Sequence, residues 1–357
     1  MPNAADPAMT PLLLSGVPGS PYTRKMLALL RYRRIPYRYL QASRGVPGLP
    51  RPRVPLLPTF SLPDADGTLV AVTDSTPLIR RFEADFTGRH AVPAHPALAF
   101  IDALIEDYAD EWLTKAMFHY RWHYPADIEQ AGRVLPCWAL GPMPDDALAA
   151  AAQAVRDRQM PRLRYVGSNE QTWALIEASY RRFLEIFEDH LRQHRFVLGA
   201  RPAAADFGLF GQLTQLAQFD PTPMALTAQV APRVLAWVGT VEDLSGLEPA
   251  EADWFDPTAL PSTVTALLRE IGRVYPPLLL ANAAALRAGA EQFSTTIDGQ
   301  PWAQQTFAYQ GKCLAWLRRD YQALSATDRA TVDRALAGTG CEALLGAVGD
   351  ASLRSVG

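Results

Sequence analysis

Leu12-Leu13-Leu14-Ser15-Gly16-Val17-Pro18-Gly19-Ser20-Pro21-Tyr22-Thr23-Arg24-Lys25 is the stretch whose reading decides the fold. An apolar run ends in a Gly/Pro-rich turn, and a helix starts at once. Ser20 is a favourable N-cap, and Pro21 suits the first helical position, where a missing N–H costs nothing. Tyr22, Met26, Leu29 and Leu30 then share one helical face, with Arg24, Lys25 and Arg31 off it. The spacing predicts a strand at Pro11–Leu14 and a helix from Tyr22 to about Arg34. A hydroxyl therefore sits at a helix N-terminus, where free N–H groups and the helix dipole stabilise an anion such as a thiolate.

Working outward, residues 1–9 read as a loose leader. Tyr37-Arg38-Tyr39-Leu40 is short and aromatic and reads as a second strand, completing a βαβ unit with parallel strands. A proline-rich loop runs to Pro58. Thr59–Leu62 and Leu69–Thr73 then read as a hairpin around Asp64-Ala65-Asp66-Gly67. Asp74-Ser75-Thr76-Pro77 opens a helix carrying Leu78, Ile79 and Phe82 at helical spacing.

In this order and spacing the segments resemble the glutathione transferase superfamily, whose N-terminal domain is thioredoxin-like. Phe196-Val197-Leu198-Gly199-Ala200-Arg201-Pro202-Ala203-Ala204-Ala205-Asp206-Phe207 adds to the resemblance. It is similar to the family motif Gly-x-x-Pro-Ser/Thr-x-Ala-Asp-Phe that opens the buried helix of the C-terminal domain. It departs from that motif at Ala203, where the family has a capping hydroxyl, a loss of about 1 kcal/mol. The resemblance implies an α/β thioredoxin-like domain at 10–90 followed by an all-α domain at 95–245. Residues 246–357 exceed the usual family length and read as a mostly helical extension packed on the helical domain.

The resemblance also implies a chemistry. Ser20 would donate a hydrogen bond to the glutathione sulfur and stabilise its thiolate. Tyr22, Thr23 and Ser15 are weaker alternatives for that role. The family has a cis-proline before its third strand, and the backbone of the preceding residue holds the cysteinyl part of glutathione. Pro55 and Pro58 compete for that position, and Leu57–Pro58 is preferred because it directly precedes a strand. Asp74 and Ser75 resemble the pair that grips the γ-glutamyl end, a carboxylate for the amino group and a hydroxyl with helix N–H groups for the carboxylate. Arg44, Arg51 and Arg53 are candidates for the glycyl carboxylate, of which Arg53 is carried forward. Tyr22, Tyr108, Trp112 and His119 are the candidates for an electrophile pocket, the last three on a long amphipathic helix expected at Ala97–Tyr124.

The function implied is attack of the glutathione thiolate on a small hydrophobic electrophile. A non-catalytic binding or scaffolding protein of the same fold and a glutathione-dependent isomerase or lyase are the alternatives. Ser20 in place of a cysteine argues against thiol-transfer chemistry, which needs a protein thiol. Glutathione is the expected co-substrate and a homodimer the expected assembly, with no metal. His119 and His123 have a metal-ligand spacing, but no third ligand follows.

The 357 residues carry a net charge of -3, which gives no reason to expect nucleic acid or an anionic membrane as partner. The three cysteines, Cys137, Cys313 and Cys341, have neither redox nor zinc spacing, which fits a reducing, cytoplasmic setting. Further along, Ser168-Asn169-Glu170-Gln171 reads as a capping box opening a helix, and Thr263–Val274 and Pro277–Ala288 read as two helices. Pro301 argues against a long hairpin around Asp298-Gly299.

Overall fold

A computed structural model describes residues 10–43 and 45–346; the expected leader, Arg44 and the end of the expected extension lie outside the described residues. The N-terminal part runs β1 (Leu12–Gly16), α1 (Pro21–Arg33), β2 (Tyr37–Gln41), β3 (Thr59–Pro63), β4 (Leu69–Val72) and α2 (Ser75–Asp85). The sheet order is β2-β1-β3-β4. β1 and β2 are parallel, as a βαβ unit requires, while β3 is antiparallel to both β1 and β4. Leu14, Phe60 and Leu62 from the sheet meet Met26, Leu29 and Leu30 of α1 and Leu78, Ile79 and Phe82 of α2 in one buried layer. This is a thioredoxin-like domain.

The chain then turns helical. α3 (Pro96–Tyr108) continues through a π-helical turn (Ala109–Leu113) into α4 (Thr114–His123). So the single helix expected at 97–124 exists, with a wider turn at its middle. α5 (Pro125–Leu140) and α6 (Asp145–Gln159) form a helical pair, followed by α7 (Trp173–His190). α8 (Ala204–Leu216) is buried along its whole length. It lies so close to α1 that a Cβ on Gly211 would sit 2.5 Å from the Pro21 carbonyl. α9 (Pro221–Val230) and α10 (Pro232–Val241) complete this part.

Asp206 carries the motif that opens α8. Its Oδ2 accepts from the Ala203 N–H at 2.8 Å and its Oδ1 from the Val197 N–H at 3.0 Å. One half of a capping box is therefore made. The other half is missing because alanine has no hydroxyl to give. Burial pushes the Asp206 carboxyl up to about 7 against those backbone donors.

The extension comprises α11 (Ser262–Arg287), a hairpin of β5 (Gln292–Ile297) and β6 (Gln300–Gln305), α12 (Ala308–Ala323) and α13 (Ala326–Leu336). Three sequence expectations are corrected here and in α7. The segments Thr263–Val274 and Pro277–Ala288 are one helix, with Pro276 and Pro277 inside it. Burial of Ile271, Val274, Tyr275, Leu278 and Leu279 on one face outweighs the lost backbone bonds. The hairpin forms with six-residue strands despite Pro301. Pro301 pairs with Thr296, one step beyond the Ile297–Gln300 pair that closes the two-residue turn. In an antiparallel ladder this step exchanges no N–H bond, so the missing donor is not needed. Ser168 caps nothing: its hydroxyl bonds His119, and α7 begins only at Trp173.

Candidate active site

The strand register brings three loops to one end of the sheet. Ser15 near the end of β1 pairs with Thr59 at the start of β3, and Phe60 pairs with Val72 at the end of β4. The Val17–Ser20 turn, the Leu57–Pro58 step and the Asp74–Ser75 pair therefore all leave or enter the sheet at that end.

Ser20 is the N-cap of α1, and its Oγ accepts from the Thr23 N–H at 3.2 Å. Among the described residues its hydroxyl finds no acceptor, so the proton is available to a ligand. The turn before it is clamped from the helical domain. Arg121 on α4 donates to the Gly19 carbonyl at 3.2 Å, and Gln215 on α8 donates to the Pro18 carbonyl at 3.1 Å. Arg121 is itself held by Asp220 at 2.9 and 3.1 Å and by Gln215 Oε1 at 2.8 Å. Burial pushes the Asp220 carboxyl up to about 6, and Arg121 limits that rise. Leu135 and Trp138 of α5 press on the turn; a Cβ on Gly19 would collide with Leu135 Cδ2.

Of the two competing prolines, Pro58 follows the cis peptide bond. Thr59 Oγ1 donates to the Leu56 carbonyl at 2.9 Å and Ser15 Oγ to the Thr59 carbonyl at 3.3 Å, fixing the segment on the sheet. The Leu57 N–H and C=O have no partner among the described residues. Arg53 and Arg51 are exposed on the preceding loop.

Asp74 adopts φ 83°, an unusual conformation for a residue other than glycine, and leads directly into α2. Its Oδ1 accepts from the Tyr309 hydroxyl at 2.9 Å. Burial raises the Asp74 carboxyl above its usual range, opposed by Tyr309 and Lys25. Ser75 is buried and accepts from Lys25 Nζ at 3.2 Å. The same ammonium reaches Glu106 at 2.6 Å and Asp110 at 2.5 Å. Burial works against the charge on Lys25, but Asp110 and Glu106 outweigh it and hold the ammonium protonated well above the usual lysine range. Lys25 is thus fully buried, not off the packed face as the helical spacing predicts.

Three of the four residues expected to line an electrophile pocket lie in the interior. Tyr108 is wholly buried between Phe183 and Tyr275. Trp112 packs on Trp302 and donates to Ser179 Oγ at 3.1 Å. His119 is wholly buried, with Nδ1 on Ser168 at 2.8 Å and Nε2 on Glu177 at 3.2 Å. These three belong to the interior because the extension and α7 cover the helix faces that carry them. Tyr22 is half-buried, and its hydroxyl donates to the Asp110 carbonyl at 2.8 Å. His119 stacks on His123 at 4.8 Å, and among the described residues no group of three metal-binding side chains occurs.

Sequence reasoning missed Arg121, Gln215, Lys25 and Tyr309. Each lies far in sequence from the group it holds, and a lone arginine or tyrosine in a helical pattern carries no signal of its partner.

The N-terminal domain model of the glutathione S-transferases matches residues 14–90, and the corresponding C-terminal domain model matches residues 149–239. The chain belongs to the glutathione transferase superfamily. Ser20, Leu57, Pro58, Asp74 and Ser75 of this transferase-family chain all lie within the first match, and Tyr309 lies outside both.

Among solved structures, poplar glutathione transferase F1 is similar at 16% identity, over 65% of this chain and 92% of that one, with a TM-score of 0.38. A glutathione S-transferase from Rhodospirillum rubrum F11 is similar at 15% identity, over 65% and 87%, with a TM-score of 0.39. A glutathione transferase family member from Pseudomonas fluorescens Pf-5, solved with bound glutathione, is similar at 16% identity, over 67% and 100%, with a TM-score of 0.34. No curated protein matches the chain. Among the described residues no helix is long and apolar enough to cross a membrane.

Proposed function

We propose that this chain binds glutathione at the sheet end described above and activates its thiol for attack on a small hydrophobic electrophile. The single observation that carries this reading is the convergence there of a free serine hydroxyl at a helix N-terminus, an unpartnered Leu57 peptide group and an Asp-Ser pair opening a second helix.

The chemistry follows from the parts. The Leu57 N–H and C=O are free to pair with the cysteinyl backbone of the ligand. The ligand's γ-glutamyl carboxylate meets the N-terminus of α2, and its amino group meets Asp74. Arg53 is the proposed partner of the glycyl carboxylate. This sets the sulfur beside Ser20, whose hydroxyl donates to the thiolate; together with the N-terminus of α1 it lowers the thiol pKa. The thiol proton leaves to solvent, the sulfur lone pair forms the new carbon–sulfur bond, and the electron pair departs with the leaving group or is protonated on the adduct. Leu135 and Trp138, which press on the Ser20 turn, are the apolar side chains best situated to meet the electrophile. A homodimer in the cytoplasm belongs to the same reading; light scattering of the purified chain tests the assembly.

Calorimetric titration with glutathione, run on the wild type, Ser20→Ala and Asp74→Ala, tests the proposal. The wild type binds, Asp74→Ala loses most of the affinity, and Ser20→Ala binds without the ultraviolet thiolate signal. No binding by the wild type at millimolar glutathione defeats the reading.

A further inference from the structure

The extension beyond the family match reaches the Asp74 end of the site. Tyr309 stands in the first turn of α12, and its hydroxyl donates to Asp74 Oδ1. The neighbouring Gln310 is 2% exposed and faces Glu111. Its Oε1 is a buried acceptor without a donor among the described residues, and so is Oδ1 of Asp110, which is 6% exposed.

Charge points the same way. Asp74, Glu106, Asp107, Asp110 and Glu111 stand close enough to feel one another. The facing bases are Lys25, already shared by Glu106 and Asp110, and Lys115, which donates to Gln304 and to the Val166 carbonyl. Tyr275 satisfies Asp107 at 2.7 Å. Burial lifts the Asp107 and Glu111 carboxyls to about 7 and about 8, so part of this charge is removed by protonation near neutral pH; what remains unmet are the acceptors Asp110 Oδ1 and Gln310 Oε1. A primary ammonium, with three donors and no acceptor, is the group suited to a site with spare acceptors.

We propose that Tyr309 is a positioning residue for the ligand: it holds the Asp74 carboxylate in place to receive the α-ammonium of glutathione, so the extension forms part of the substrate site of the same chain. This rests on the glutathione reading above. A carboxylate has room for about four hydrogen bonds, so the one from Tyr309 leaves acceptor capacity for the ligand. Because Asp74 lies at the mouth of α2 with φ positive, its side chain is fixed from outside its own helix, by Tyr309.

The test is titration of the full chain with glutathione and with glutaryl-cysteinylglycine, which keeps the terminal carboxylate and lacks only the amino group. Tyr309→Phe weakens glutathione by about tenfold, the scale of one hydrogen bond to a charged group, and leaves the glutaryl analogue unchanged. Combined with Asp74→Asn, it adds little to the loss from Asp74→Asn alone. Arg80→Ala, which cuts a second tie of α12 to α2 through Asp320, leaves both affinities unchanged. The proposal is overturned if Tyr309→Phe spares glutathione, weakens both ligands equally, or is matched by Arg80→Ala. If the wild type binds neither ligand, the glutathione reading itself fails, and this proposal falls with it.

Discussion

Replacing Lys25 with methionine removes one ammonium from a buried triangle. Its side chain has no exposed surface, and the two carboxylates it joins are 4% and 9% exposed. The distances to Glu106 and Asp110, 2.6 and 2.5 Å, leave no room for water between them. Methionine fills a similar volume, so little cavity is created. What remains is two buried carboxylates one helical turn apart, with the Thr76 hydroxyl beside them but, among the described residues, no cation in contact with either. Breaking a buried pair from one side costs about 3–5 kcal/mol. The expected loss in Lys25→Met is of that size, read as the midpoint of the first transition in urea by tryptophan emission and by circular dichroism.

The pH dependence carries its own sign. Without the lysine that opposes it, burial and the neighbouring Glu106 make Asp110 hold its proton more tightly in the folded than in the unfolded chain. The destabilisation of Lys25→Met therefore shrinks as pH falls from about 8 towards about 5. In the wild type the folded lysine is protonated above its usual range, so its contribution is complete below 10.5 and is lost only as pH climbs beyond that value. Lys25→Met/Glu106→Gln/Asp110→Asn, which leaves no buried charge, regains most of the loss. A single variant as stable as the wild type, or a triple variant no better than the single, refutes the reasoning.

Arg121→Ala strands Asp220, which has no exposed surface, and frees the Gly19 carbonyl. Stability falls by about 3–5 kcal/mol, and glutathione-dependent turnover falls by more than glutathione affinity does, measured by steady-state kinetics beside calorimetry. Ala203→Ser supplies the missing half of the α8 capping box and raises the melting temperature by the equivalent of about 0.5–1 kcal/mol. Burial pushes the His119 imidazole down to about 4, against the pull of Glu177. A depressed histidine stabilises the fold above its usual pKa of 6.5, and that stability is lost as pH falls towards about 4. His119→Gln therefore flattens the acid limb of stability against pH by up to about 1.4 kcal/mol per pH unit in that window. An unchanged slope refutes the assignment.

The thioredoxin-like half was legible because each of its elements has a local cause. The Ser20 cap, the strand-length apolar runs and the Asp64–Gly67 turn all act within a few residues. The position of the cis bond at Pro58 followed from its placement directly before β3. The burial of Tyr108, Trp112 and His119 was not legible for the opposite reason. A helix pattern states which side chains share a face but not what covers that face, and α7 and the extension cover Tyr108, Trp112 and His119. Lys25 misled because a charged residue on a helix is read as solvated, whereas Glu106 and Asp110, far along the chain, made burial tolerable. Pro276, Pro277 and Pro301 were read as breaks, and tertiary packing or strand register absorbed each of them.

The π-helical turn at Ala109–Leu113 has a consequence for the whole domain interface. A turn with i→i+5 bonds holds one residue more than an α-turn, so the helix beyond it is rotated by about 100° relative to an uninterrupted one. α3 presents Glu106 to Lys25, and α4 presents Arg121 to Gly19. The helix is in effect two rods joined out of phase, each aimed at a different part of the thioredoxin-like domain. Deleting one residue within the turn would restore a regular helix and swing α4 away from the Ser20 loop while leaving α3 seated. The alignment of the two domains is thus set by a single residue of surplus length.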